Sequence, residues 1–150
     1  SGTVAGALEG IFAGIPSMAV SMESMADGTL LRETAAFAAD LVSGYFMKKR
    51  YTGILNVNIP KIKPEKVSWE NVKVARLGLL RYSNVIAGKR TKADEMEFIM
   101  RGKPLERYEP ETDVYWSRKG YITITPLQWN QTDFENLREV GKLTAAFIDA

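Results

Sequence analysis

The opening Ser1-Gly2-Thr3 is the part of the sequence best equipped for chemistry. An apolar run with glycines at every fourth position follows it, so these residues form the first turn of a helix. Backbone N–H groups are unpaired there and the macrodipole is positive. Glycine lets an anion approach the main chain, and the two flanking hydroxyls donate. Ser1, Gly2 and Thr3 are therefore sufficient to hold a phosphate oxyanion. The same three residues also make an ordinary helix cap, and local sequence leaves both uses open. What is missing narrows the rest. The 150 residues include no cysteine and no histidine. Disulfides, thiol nucleophiles, imidazole bases and imidazole or thiolate metal ligands are all excluded. Chemistry must rest on carboxylates, hydroxyls, amides, lysine, arginine and the main chain. The lack of cysteine fits a reducing compartment.

Two further groups of residues have the right types to meet a ligand. Asn56 and Asn58 alternate with Leu55, Val57 and Ile59, so a strand there presents both amides on one face. They can contact substrate, although bonding to neighbouring loops is the more ordinary use of such a pair. Tyr115, Trp116 and Trp129 can stack on a nucleobase, or serve as core and interface anchors. Charge is unevenly spread. The net formal charge is +2, but residues 41–92 carry +10 and the segments on either side carry −4 each. Such a belt can meet phosphate-bearing partners, or form a solvated surface. It lacks interleaved aromatics, which makes nucleic acid a poor fit.

The elements that must position these residues follow from periodicity. With 45% hydrophobic and 25% charged residues the chain has the composition of a globular protein, and its length fits one domain. The apolar stretch from Val4 to Val20 contains Glu9 and Pro16 and lacks basic flanks, which argues against a membrane span. It reads as a helix over 3–13 and a buried strand over 17–21. Gly2, Gly6, Gly10 and Gly14 share one helical face, which predicts close backbone packing. A second helix is expected over 29–48, where the apolar residues Leu31, Ala35, Ala38, Leu41, Val42, Tyr45 and Phe46 follow helical spacing. A strand over 54–59 follows. Strands at 72–76 and 97–100 are separated by the polar stretch 88–92 in a hairpin-like excursion. A short helix over 113–119 ends at Gly120, and a strand over 121–125 is halted by Pro126. Thr132 and Glu135 form a capping box for a last helix. Alternation of helices and strands through the first sixty residues predicts an α/β protein with a parallel sheet.

Four blocks of this sequence resemble the stationary-phase survival protein family, SurE. They are Ser1-Gly-Thr-Val-Ala-Gly-Ala-Leu-Glu-Gly10 with Ile15-Pro-Ser-Met-Ala-Val-Ser21; Leu55-Asn-Val-Asn-Ile-Pro60; Val74-Ala-Arg-Leu-Gly78; and Thr112-Asp113 with Gly120-Tyr-Ile-Thr-Ile-Thr-Pro-Leu127. The resemblance implies a Rossmann-like three-layer αβα sandwich with a projecting β-hairpin and a C-terminal helix. It implies a homodimer or homotetramer built through the hairpin and that helix, in the cytoplasm, with no membrane partner. It also implies hydrolysis of nucleoside monophosphates to nucleoside and phosphate. One divalent metal ion, magnesium or manganese, is expected as Lewis acid and activator of water. The family's paired-aspartate motif, its later serine and its asparagine ahead of the Ser-Gly-Thr block have no counterpart in these residues. Residues 1–150 are thus expected to be the C-terminal portion of one phosphatase domain, with the metal ligands upstream and the fragment alone inactive. No ligand role passes to Asp27, Asp40 or Asp113, which match no family motif for metal. The competing reading is a non-catalytic module, oligomerising or binding nucleic acid through 41–92.

Overall fold

The computed structural model describes residues 2–23, 28–80, 83, 86–92, 95–100, 102, 105 and 108–148. Helix α1 (Gly2–Phe12) turns through Gly14, whose φ of 76° suits glycine, into strand β1 (Ser17–Met22). Helix α2 (Gly28–Leu41) runs on as a π-helical segment, Val42–Lys48, and leads to β2 (Ile54–Ile59). Two short 3-10 turns, Pro64–Lys66 and Trp69–Asn71, precede β3 (Val72–Val74). Then come β4 (Ile86–Lys92), β5 (Glu95–Met100), α3 (Asp113–Arg118), β6 (Ile122–Leu127) and α4 (Leu137–Ile148). No helix among the described residues is long and apolar enough to cross a membrane.

The main sheet has the order β1-β2-β6-β3. Register fixes which side chains share a face. Leu55, Val57 and Ile59 look to one side, where Phe37 and Leu41 of α2 cover them together with Ile122 and Ile124. Ser17, Ala19 and Ser21 align with Ile54, Asn56 and Asn58 on the opposite side. Ala7 of α1 packs there on Ala19 and Ile54. Helices thus cover both faces, and the layering is the Rossmann-like αβα sandwich.

The sheet is mixed, however, rather than parallel. β1 and β2 pair in parallel, as the alternation predicts, but β6 enters between β2 and β3 antiparallel to β2. The reversal follows the α3–β6 turn at Gly120, whose φ is 82°. Pro126 does not halt β6, which runs to Leu127 with Pro126 opposite Leu55. β3 has already ended beside Ile124, and an open strand edge tolerates a proline. The polar stretch 88–92 is not a separator either. It lies within β4 and pairs antiparallel with β5, Lys89 opposite Glu97.

Three helical expectations also change. The buried face of α2 is Leu30, Thr34, Phe37 and Leu41, one residue out of phase with the predicted stripe at its start; Leu31 is 42% exposed. After Leu41 the wider π turn brings Tyr45 and Phe46 against the core, where both ring systems meet Tyr51. The glycine face of α1 packs at one point only. A Cβ on Gly10 would run into Ser17 Oγ, whereas Gly2 and Gly6 face nothing within 4 Å. Finally, Thr132 and Glu135 do not cap α4. A turn over 134–136 precedes it, tied by Asp133, whose carboxylate accepts from the Asn136 main-chain N–H at 3.0 Å.

Candidate functional site

Because α1 runs antiparallel to β1, its N-terminus returns to the C-terminal ends of β1 and β2. A cavity of about 420 Å³ opens there, with Val4 of α1 on one wall and Val114 and Ser117 of α3 on the other. In open α/β sheets ligands bind beyond the carboxyl ends of the strands. The floor is the sheet face opposite the main core, formed by Ser21, Asn56 and Asn58. Leu77 and Leu80 close one side. Glu23, Asp113 and Arg118 supply the charge.

Each of these is held from below. Asp113 is buried because it opens α3 and clamps the adjacent loop. Its Oδ1 accepts from the Gly78 N–H at 2.7 Å and from the Val114 N–H at 2.8 Å. Thr112, fully buried, caps the same helix by accepting from the Tyr115 N–H, and donates its hydroxyl to the Glu109 carbonyl. Gly78 must be glycine for this clamp to close, since a Cβ would lie 2.8 Å from Thr112 Cβ. Outside the clamp, Arg76 donates to Glu109 at 3.0 Å. That pairing lowers the Glu109 carboxyl pKa and raises that of the Arg76 guanidinium. Across the cavity mouth, Glu23 accepts from the Lys61 N–H at 3.0 Å, with Arg118 Nη1 4.0 Å from its other oxygen.

Asn56 is 7% exposed, yet no described residue hydrogen-bonds to its side-chain amide, nor to that of Asn58. Among the described residues the expected bonding of these amides to neighbouring loops does not occur. Thr125 and Thr123 stand opposite Asn56 and Asn58 on β6, and their buried hydroxyls have no partner among the described residues.

The predicted phosphate residues divide. Ser1 lies outside the described residues. Gly2 and Thr3 are exposed in the first turn of α1, which carries no acidic residue. The aromatics stay out of the cavity. Tyr115 and Trp116 pack edge to face at 5.1 Å, and Trp116 meets Tyr121 at 5.3 Å. Lys73 sits over both Trp116 and Tyr121. Trp129 pairs with Phe12 and is 57% exposed. Of the three aspartates, Asp27 lies outside the described residues, Asp40 is exposed on α2, and Asp113 is occupied by two amides. Among the described residues no group of three or more carboxylates could hold a metal. The described residues therefore do not fit the divalent ion that the resemblance implies. Sequence reasoning missed the clamp of Asp113 on Gly78 and the leucine side of the cavity. Only Thr112-Asp113, a helix-opening pair, hinted at the first.

The survival protein SurE family model matches residues 1–84. The 5'-nucleotidase SurE of Pelotomaculum thermopropionicum is 34% identical over 145 residues, covering 95% of this chain and 54% of that protein. The 5'-nucleotidase SurE of Syntrophomonas wolfei is 32% identical over 151 residues, covering 98% of this chain and 56% of its own length. The crystal structure of SurE protein from Aquifex aeolicus superposes with a TM-score of 0.77 at 28% identity, covering 96% of this chain and 58% of that one. The chain spans about half the length of the curated relatives it matches. With the family model over more than half of these residues, and the same fold over nearly all of them, the chain belongs to the survival protein SurE family.

Proposed function

We propose that this chain forms part of a phosphomonoester hydrolase acting on nucleoside monophosphates, releasing nucleoside and phosphate. The observation that carries the reading is the likeness, over 93–98% of the chain, to several proteins each named 5'-nucleotidase SurE. The geometry supports it. The first turn of α1 is exposed and free of acidic side chains beside the cavity that Val4 lines. Its main-chain N–H groups and the hydroxyls of Ser1 and Thr3 hold the non-bridging phosphate oxygens, and Gly2 offers no Cβ to obstruct them. Donors fixed before the reaction stabilise developing charge without reorganising.

The divalent ion implied by the resemblance has no carboxylate cluster among the described residues. The family resemblance supports placing the ion's ligands outside residues 1–150, with these residues the C-terminal portion of a single domain. The working protein is a cytoplasmic homodimer or homotetramer joined through the β4–β5 hairpin and α4. Nucleic acid is a poor fit as its partner. The three basic clusters lie in separate stretches: Lys48-Lys49-Arg50 at the end of the π-helical segment, Lys61 to Lys66 running into the first 3-10 turn, and Lys89 to Lys92 within β4.

A phosphatase assay on the complete polypeptide, with and without added magnesium or manganese, tests the proposal. Metal-stimulated release of phosphate from a nucleoside monophosphate is expected, and none from residues 1–150 alone. Absence of release by the complete polypeptide would remove the reading. Turnover by the 150-residue chain would overturn the upstream assignment of the ligands.

A further inference from the structure

The cavity floor has hydrogen-bonding capacity that phosphate binding at α1 does not use. Asn56 is more than nine-tenths buried, lines the cavity and has no partner for its side-chain amide among the described residues. The amide itself is not sealed off and opens on the cavity, so it is free to bond a ligand group or water there. Asn58, half-buried, lines the cavity two residues on and is likewise unpaired among the described residues; Thr123 and Thr125 stand opposite the pair on β6, outside the cavity lining.

The chemistry of the floor selects the occupant. Glu23 and Asp113 carry negative charge against the one positive charge of Arg118, so the cavity does not attract a dianion. Amides both donate and accept, which matches a neutral ligand rich in hydroxyls. Leu77 and Leu80 beside them suit an apolar, planar face. A volume of about 420 Å³ lies within the ordinary range for small-molecule sites. Position agrees as well. The cavity wall begins at Val4, immediately after the proposed phosphate turn, and in a nucleotide the sugar is the group attached to the phosphate.

We propose that Asn56 and Asn58 bind the sugar hydroxyls of the nucleoside moiety, with the base against Leu77 and Leu80. The inference rests on the nucleotidase reading and makes these asparagines specificity residues.

The test uses the complete polypeptide, with Asn56→Leu and Asn58→Ser compared with the unsubstituted protein. Two readouts are taken. One is the ratio of kcat/KM for adenosine 5'-monophosphate to that for p-nitrophenyl phosphate, which has no sugar. The other is adenosine binding by calorimetry, which needs no turnover. The ratio is expected to fall at least tenfold in each variant, and adenosine affinity likewise. An unchanged ratio, or an equal fall for both substrates, would overturn the proposal, because the amides would then act only on the scaffold. If Asn56→Leu does not fold, Asn58→Ser decides, its side chain being only half-buried. Should the unsubstituted protein cleave neither substrate, the nucleotidase reading fails. Adenosine binding that the variants lose would still establish the pocket, and lack of adenosine binding would remove it.

Discussion

At the scale of single residues, the cavity depends on a carboxylate that does no chemistry. Asp113 holds the Gly78 N–H at 2.7 Å and so fixes the loop that carries Leu77 and Leu80. Asp113→Ala leaves that N–H unpaired in a partly buried place, at a cost of about 1–3 kcal/mol, readable as a lowered urea midpoint with unchanged slope. A midpoint equal to that of the parent would show that the loop is held by something else. Glu109 supplies a pH-dependent counterpart nearby. Arg76 depresses its carboxyl pKa, so the contribution is present above the usual glutamate range and fades as pH falls through the lowered value. Both groups are exposed, which keeps the effect small. Stability of Glu109→Gln should differ from the parent near neutrality and converge with it in acid. A difference that grows on acidification would contradict the assigned sign. Neither relation is legible in the sequence, because thirty-three residues separate Arg76 from Glu109 and thirty-five separate Gly78 from Asp113.

Elements were more legible than their faces. The strand over 54–59 and the helix from Asp113 agree with periodicity because each is bounded by strong local signals, Pro60 for the first and Thr112 with Gly120 for the second. The buried stripe of α2 does not follow the apolar spacing at its start. Thr34 is buried there, its hydroxyl on Met22 Sδ at 3.4 Å, while Leu31 points outward. Hydropathy ranks those two the other way, and only the packed sheet decides between them. The glycines of α1 show the same limit. Their spacing predicts one packed face, yet only Gly10 meets a neighbour. Gly6→Ala should therefore stabilise the 150-residue chain by about 0.5–1 kcal/mol, the ordinary helix gain. Gly10→Ala should forfeit that gain, because Ser17 must leave its bond to the Ile15 carbonyl. Thermal unfolding of both variants checks the pair. Equal shifts would mean that α1 does not sit on β1 at Ser17.

At the scale of the whole molecule, apolar surface is left over where the sheet ends. β4 and β5 form a separate two-stranded sheet, and Phe98 on it is 66% exposed. Two strands alone are marginal in water, so the hairpin needs another surface to rest on. α4 shows a similar surplus. Leu137 and Val140 lie one helical turn apart on α4 and are exposed, as is Phe134 in the turn before it. Two unpartnered apolar faces in one chain fit a second copy better than solvent, which is the physical case for the proposed dimer or tetramer. A charge on either face should be expensive only if that face is covered. Phe98→Glu and Val140→Glu are expected to lower the mass measured by light scattering over a dilution series, while the circular dichroism of the main sheet and helices persists. Because the two positions lie on different elements, the variants also separate the contacts. Loss of mass with Phe98→Glu alone would assign the interface to the hairpin, and with Val140→Glu alone to the helix. Unchanged mass in both would place subunit contacts away from these faces and leave the exposed stripe of α4 to some other partner.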